Sequence, residues 1–428
     1  MSGVSLTAHL AGVEPRMRPG TQALTFHVMR WWGSAQALRE HLAPKRPPPE
    51  VDALLCCALA LLWPASERPY PAHVLVDQAV RAAQGRHARS AGFINAVLRA
   101  GLRLLEADPN PHEVLRRPQA QWNHPAWWVQ RLQLDWPHQA DEILRAAQQH
   151  PPMTLRVRAP DRAQDYLTRW ASSGVGGRCL AGMPQALILD EACPVQRLPG
   201  FEQGEVSVQD AAAQRAAPLL LGSDAQALPL GARVLDACAA PGGKTAHLLE
   251  LRPDLQVWAL DVDARRLAQV GPGLQRLALP PAVCRVADAA QPQDWWDGHP
   301  FDAILLDAPC SGSGVVRRHP DIRWLRRHSD IATLCATQAR LLDALWPLLR
   351  AGGRMVYATC SVFQAEGQDQ IDAFLQRLGP GAATLDPLSP GHLLPVTDNG
   401  ARGSLGASPP DASAPASDGF FYALIHKP

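Results

Sequence analysis

Arg233-Val234-Leu235-Asp236-Ala237-Cys238-Ala239-Ala240-Pro241-Gly242-Gly243-Lys244-Thr245 reads as a short apolar strand that runs into a glycine turn, with a helix following. Paired glycines let a backbone approach a ligand closely, and a helix N-terminus offers unsatisfied N–H groups to a carboxylate or phosphate. A phosphate-binding loop of the G-x-x-x-x-G-K-[ST] type needs glycine where Cys238 stands, and the dinucleotide pattern G-x-G-x-x-G is absent. Outward from this loop, strand-like runs alternate with helical stretches: Arg233–Asp236, Val257–Asp261, Val283–Val286, Ala303–Asp307, Arg354–Ala358 and Phe420–Ile425. That rhythm predicts a parallel, doubly wound sheet with ligands beyond the carboxyl ends of its strands.

Asp261 ends the second of these strands and is placed to bond the hydroxyls of a ribose; Asp288, after the third, is placed to accept from an adenine amino group. A single aspartate at a strand end is more often a turn former. Two at successive strand ends beside a glycine turn fit S-adenosylmethionine, which carries ribose, adenine and an amino-acid group but no phosphate. The glycine turn, Asp261 and Asp288 are therefore the expected cofactor contacts.

The fourth strand delivers Asp307-Ala308-Pro309-Cys310 and the fifth Ala358-Thr359-Cys360-Ser361, so two thiols fall past neighbouring strand ends, over the same crevice. The other cysteines outside the glycine loop, Cys56, Cys57, Cys179, Cys193, Cys284 and Cys335, read as buried small hydrophobes. Carbon 5 of cytosine is a poor nucleophile until a thiolate adds at carbon 6. A second group must then remove the carbon 5 proton so that the thiolate can leave, and an acid is needed at N3. Cys360, Cys310 and Asp307 supply such a set.

At 428 residues the chain exceeds one ordinary core, and its nine cysteines include no Cys-x-x-Cys pair, so reduced thiols are expected. A net charge of +1 does not announce a nucleic-acid partner. The longest apolar run, Ala53 to Trp63, is too short for a membrane span. With no secretory leader pattern at the N-terminus, a cytoplasmic protein is expected. No metal-ligand spacing occurs among the fifteen histidines, so no metal is expected. Apolar residues at helical spacing around Ala23–Leu42, Val51–Trp63, His73–Ala83 and Ala91–Leu105 predict an all-α bundle over residues 1–150. Strands at Thr154–Val157 and Ala186–Leu189 around a helix at Ala163–Trp170 predict a small α/β connector over 151–222, leaving 223–428 for the catalytic domain. A Gly/Ala/Ser/Pro-rich stretch between Val396 and Asp418 reads as a disordered loop.

The run DACAAPGGKT, Asp261 and Asp288, LLDAPCSGSGVVRRHPDIRWLRR and YATCSV together resemble the bacterial RsmB (Sun, Fmu) branch of the RNA cytosine-5 methyltransferases. GEVSVQDAAAQ at 204–214 and DGFFYALI near the end extend the resemblance, and SAGFINAVLR at 90–99 is similar to NusB-like RNA-binding domains. The implied fold is multidomain: an all-α NusB-like N-terminal domain, the α/β connector, and a Rossmann-like class I methyltransferase domain. The implied function is methylation of carbon 5 of a cytosine in 16S ribosomal RNA, by a monomer. By that resemblance Cys360 is the nucleophile and Cys310 assists enzyme release. It also implies that Cys238, Ala239, Ala240, Pro241, Gly242, Gly243, Lys244, Asp261, Asp288 and Asp307 bind the cofactor, with Asp307 contacting the base as well. The sequence departs from the family's Pro-Glu-Glu-Asn after the nucleophile, having Gln364-Ala365-Glu366-Gly367, where only Glu366 matches.

Arg317, Arg318, Arg323, Arg326 and Arg327, with Trp324 among them, are expected to hold RNA, because guanidinium groups pair with phosphates and an aromatic ring stacks on an unpaired base. The competing reading is a solvated helix face. Trp31/Trp32, Trp127/Trp128 and Trp295/Trp296 are expected to be packing residues. Two rival functions are a non-catalytic NusB-like RNA-binding factor, which predicts a degenerate cofactor loop or missing thiols, and a related enzyme acting on transfer RNA or DNA.

Overall fold

A computed structural model describes residues 5–159, 162–223, 227–395 and 417–428. Most of the low-complexity stretch at 396–418 therefore lies outside the described residues. The chain divides into two compact units, 1–149 with 316–328, and 150–315 with 329–428. No helix among the described residues is long and apolar enough to cross a membrane.

The first unit is helical, with main helices at Arg18–Arg30, Trp32–Leu42, Pro49–Leu62, Ala72–Arg86 and Ala91–Ala107. The run expected as continuous from Ala23 to Leu42 breaks at Trp31. The second helix then lies so close to the short helix Pro118–Trp122 that a Cβ on Gly33 would meet the Gln119 carbonyl. Leu38, Leu55, Leu59, Leu62, Ile94 and Leu98 are fully buried and form its core.

The segment 316–328 is built into this helical unit, which alters its expected role. Arg323 is 0% exposed, and its guanidinium donates to the carbonyls of Ala147 (2.7 Å), Val316 (3.2 Å) and Asn123 (3.4 Å). Arg317 is buried too, and its carbonyl accepts from Arg30 at 2.8 Å. The Trp324 indole N–H donates to Met29 O at 2.7 Å. Arg317 and Arg323 are therefore corrected from RNA contacts to buried residues. A buried guanidinium is stable only where acceptors surround it, and those around Arg323 leave it no face for phosphate.

The second unit holds two sheets. The smaller comprises β1 (Thr154–Val157), β2 (Gly177–Leu180), β3 (Met183–Leu189) and β4 (Val206–Val208) in the order β2-β3-β1-β4, all antiparallel, with the helix Ala163–Ala171 packed on it. β2 and β4 have no counterpart in the expected connector.

The larger sheet comprises β5 (Arg233–Asp236), β6 (Gln256–Asp261), β7 (Val283–Val286), β8 (Phe301–Asp307), β9 (Leu349–Thr359), β10 (Thr384–Leu385), β11 (Gly391–Leu393) and β12 (Phe420–His426). Its order is β10-β12-β9-β8-β5-β6-β7, with β11 also on β12. β5 to β9 are parallel, but β12 runs antiparallel to β9 with Tyr422 opposite Ala358, so the sheet is mixed where a purely parallel one was expected. Both faces of its centre are covered, so Ala303-Ile304-Leu305-Leu306 of β8 and Met355-Val356-Tyr357-Ala358 of β9 are continuous apolar runs whose residues alternate between two cores. Ala303, Leu305, Val356 and Ala358 face one core, and Ile304, Leu306, Met355 and Tyr357 the other. β2 and β7 lie at sheet edges, and there Cys179 and Cys284 are exposed, contrary to the buried reading. None of the nine cysteines is in a disulfide.

Candidate active site

The chain winds from β5 to one side through β6 and β7, then returns to β8 on the other side and continues to β9. The loops after β5 and β8 therefore diverge and open a crevice at the carboxyl edge, where doubly wound sheets bind ligands. The glycine loop after β5, the Cys310 loop after β8 and the Cys360 loop after β9 meet there, bringing together most residues that the sequence singled out.

Gly242 has φ 103°, a left-handed conformation open to glycine, and the helix Gly243–Leu251 starts directly after it. The loop is braced on several sides. Ala239 N–H donates to Leu260 O, and Ala240 N–H donates to the Asp261 carboxylate at 3.1 Å. Arg266 donates to Ala240 O at 2.6 Å. Asp261 also accepts from Asp263 N–H, while Asp288 accepts from Ala290 N–H and pairs with Arg340. Each carboxylate still has lone pairs to offer, since two oxygens provide about four acceptor sites.

Sequence reasoning left Asp236 unassigned. It is 0% exposed at the end of β5, accepts from the Thr245 hydroxyl at 2.6 Å through one oxygen, and has no hydrogen-bond partner for the other. Burial pushes its pKa up to about 7, against the opposing effect of Thr245. The signal was present as an acid that closes the apolar pair Val234-Leu235 at the strand's end. Cys238 lies beside these carboxylates, and burial together with Asp307 drives its thiol well above the usual range, so it stays protonated.

Lys244 Nζ lies 2.6 Å from Asp307 Oδ2. Burial works against the lysine charge, but the Asp307 carboxylate more than offsets it, and the net shift is upward. The pair therefore presents a fixed ammonium and carboxylate to the crevice.

The Sγ atoms of Cys310 and Cys360 are 3.4 Å apart. The hydrogen bond to Cys360, reinforced by burial, raises the Cys310 pKa well above the ordinary thiol value. Beneath the thiols Glu366, 0% exposed, ties both loops together. It accepts from Ser311 N–H (2.8 Å), Ser361 Oγ (2.6 Å) and Gln338 Nε2 (3.2 Å), and from the Ser311 hydroxyl. Its own carbonyl accepts from Tyr357 Oη at 2.9 Å and Thr359 Oγ1 at 3.2 Å. The altered Gln364-Ala365-Glu366-Gly367 segment thus keeps the one side chain that these bonds require. Gly314 accepts Gly419 N–H at 3.0 Å, and a Cβ there would run into the Gly419 carbonyl. Of the arginine cluster, Arg318 and Arg326 are half-buried and Arg327 is exposed. Among the described residues no group of three or more His, Cys, Asp or Glu side chains is placed to hold a metal ion.

A mixed doubly wound sheet with a glycine loop and acids at its strand ends defines a Rossmann-like class I methyltransferase domain, carried with a helical N-terminal domain. Residues 227–426 match the family described as 16S rRNA methyltransferase RsmB/F, 124–196 the ferredoxin-like domain of RsmF/B-like methyltransferases, and 5–103 the NusB family. The ribosomal RNA small subunit methyltransferase B of Xanthomonas campestris pv. campestris is 45% identical over 99% of this chain and 92% of its own length. The protein of the same name from Pseudomonas syringae pv. tomato is 41% identical over the same shares. Among solved structures, a methyltransferase homolog protein from Pyrococcus horikoshii aligns with TM-score 0.56 and 26% identity, over 72% of this chain and 97% of its own. The chain belongs to the RsmB/F family of methyltransferases.

Proposed function

We propose that this protein methylates carbon 5 of a cytosine in 16S ribosomal RNA, acting in the cytoplasm as a monomer, with S-adenosylmethionine as methyl donor. The observation that carries the reading is the 3.4 Å approach of Cys310 and Cys360 at the edge where the glycine loop and the Lys244–Asp307 pair also lie. The relatives' shared name favours ribosomal RNA over transfer RNA, and intact thiols and cofactor loop argue against a non-catalytic factor.

The residues fit the cofactor. Asp236, buried with one unpartnered oxygen, suits a cationic amino group nearby, and Asp261 and Asp288 have acceptor sites left for ribose hydroxyls and an adenine amino group. The bound cofactor supplies an electrophilic methyl group on a sulfonium, which carbon 5 takes up with release of a neutral thioether.

The chain's own groups do the rest. Cys360 Sγ, as thiolate, forms a bond to carbon 6 and pushes electron density to carbon 5. Lys244, held charged by Asp307, is the donor available to the ring side that gains negative charge during addition. Asp307 would accept from the cytosine amino group. After methylation a base removes the carbon 5 proton, the carbon–sulfur bond to Cys360 breaks, and the double bond re-forms. Cys310, kept protonated by its hydrogen bond to free Cys360, is poorly suited to attack; once Cys360 is bonded to carbon 6 that raising effect is gone, so Cys310 can give its own proton to solvent and take the carbon 5 proton as the Cys360 thiolate leaves. Reaching carbon 6 requires an unpaired or flipped cytosine. Arg318, Arg326, Arg327 and Trp324 remain the proposed RNA contacts.

The test is methyl transfer from tritiated S-adenosylmethionine to unmodified small-subunit ribosomal RNA. The reading expects 5-methylcytosine from wild type, none from Cys360→Ala, and a trapped covalent protein–RNA adduct from Cys310→Ala. Full activity of Cys360→Ala would overturn the mechanism.

A further inference from the structure

The smaller sheet bonds directly to the helix that follows the glycine loop. Arg156 on β1 is 1% exposed, and its guanidinium is fully engaged. Nε donates to Glu250 Oε2 at 2.7 Å, Nη2 to Glu250 Oε1 at 2.9 Å, and Nη1 to both the side-chain oxygen of Gln209 and the carbonyl of Gly243, the latter at 3.0 Å. Gly243 opens the helix after the glycine loop, and Glu250 lies on that same helix. One arginine thus grips both ends of the helix and fixes Gln209, which directly follows β4. His247, on this helix, also meets Gln185 of β3 at 2.8 Å.

This arrangement dictates which way Gln209 faces. A guanidinium can only donate, so the amide oxygen must point at Arg156 and the NH₂ group must point away from it. That group lies over the glycine loop: Gln209 Nε2 would stand 3.7 Å from a Cβ on Gly243. Gln209 is half-buried. The result is an oriented donor beside the first turn of a helix, whose own N–H groups already favour a negative charge.

We propose that Gln209 donates a hydrogen bond to the carboxylate of the cofactor's amino-acid portion, and that Arg156 is the positioning residue that sets this donor. This rests on the S-adenosylmethionine reading above. The two sheets of the second unit then form one cofactor site, and the connector contributes to affinity for the amino-acid end while leaving the adenosine end to Asp261 and Asp288.

The test compares two probes in equilibrium titrations by calorimetry: S-adenosylhomocysteine, which carries the carboxylate, and methylthioadenosine, which lacks the amino-acid group. The isosteric variant Gln209→Glu keeps an acceptor for Arg156 but presents a negative oxygen in place of the donor. It is expected to bind S-adenosylhomocysteine about tenfold or more weakly than wild type, with methylthioadenosine affinity within about twofold, because charged-group hydrogen bonds contribute on this scale. Arg156→Lys, which cannot fork between Glu250 and Gln209, is expected to show the same selective loss in smaller degree. Equal losses for both probes, or no loss for either, in Gln209→Glu would overturn the proposal. Wild type that binds neither probe would overturn the cofactor reading itself, and this inference with it.

Discussion

The Sγ atom of Cys310 stands 3.4 Å from that of Cys360, each at the carboxyl end of a neighbouring parallel strand. Either sulfur can donate to the other, and the hydrogen bond to Cys360 is the largest cause of the upward shift at Cys310. Removing Cys360 should therefore lower the Cys310 pKa and raise its thiolate fraction. Iodoacetamide labelling at pH 8, followed by peptide mass spectrometry, is expected to modify Cys310 severalfold faster in Cys360→Ala than in wild type. An unchanged rate would mean that the pair is not coupled.

Glu366 is the common acceptor of the two thiol loops. Its replacement by alanine would leave the Ser311 amide and hydroxyl, the Ser361 hydroxyl and the Gln338 amide without that acceptor in a fully buried place. Loss of a buried charged acceptor costs on the order of 3 kcal/mol. Glu366→Ala is expected to unfold at lower urea concentration and to lose methyl transfer, with Glu366→Gln intermediate in both. Stability equal to wild type would show that the loops hold without it.

Asp236 predicts a pH dependence of stability. Its folded pKa of about 7 lies above the unfolded value of 3.8, so the folded state binds the extra proton. Stability from this group is greatest below the unfolded value, falls as pH rises between about 4 and 7, and is level above that range. Asp236→Asn should remove the decline. The gap between variant and wild-type melting temperatures is expected to widen in the variant's favour from pH 4 to pH 7, and a constant gap would count against the buried, protonated carboxyl.

The arginines of 317–327 should separate into two classes. Arg323→Ala opens a buried site and strips three carbonyls of their donor, so the helical unit should lose about 2–4 kcal/mol of stability. Arg326→Ala with Arg327→Ala should leave melting nearly unchanged. It should weaken RNA binding and reduce the slope of log affinity against log salt by about one for each phosphate no longer neutralised. Filter binding across a salt series distinguishes these outcomes; an unchanged slope would remove both residues from the RNA surface.

Much of the fold was legible because its signals are local. β5, β7 and β1 begin and end where the apolar runs do, and the glycine loop, Asp261, Asp307 and both thiols follow from their place at strand ends. β2 and β4 were missed because short strands on a small sheet carry little apolar pattern, as the exposed middle of β2 shows. The antiparallel sense of β12 was not readable, since strand direction depends on pairing with a distant partner and not on composition. Cys179 and Cys284 were misread because edge position is a property of the sheet order.

The sequence by itself determined the chemistry available: the glycine turn, the acids at successive strand ends, the two thiols, and the family to which they belong. Those signals are contiguous along the chain and survive without knowledge of long-range contacts. Tertiary structure alone decided which charges face inward. Arg323 and Arg317 look like RNA ligands in a run of basic residues, yet they are buried against segments 176 and 287 residues away. Arg156 and Gln209 look like ordinary polar residues, yet the fold brings them to Gly243 and Glu250. A side chain's charge is written in its residue type, but whether it meets solvent, ligand or its own backbone depends on which distant segment packs against it.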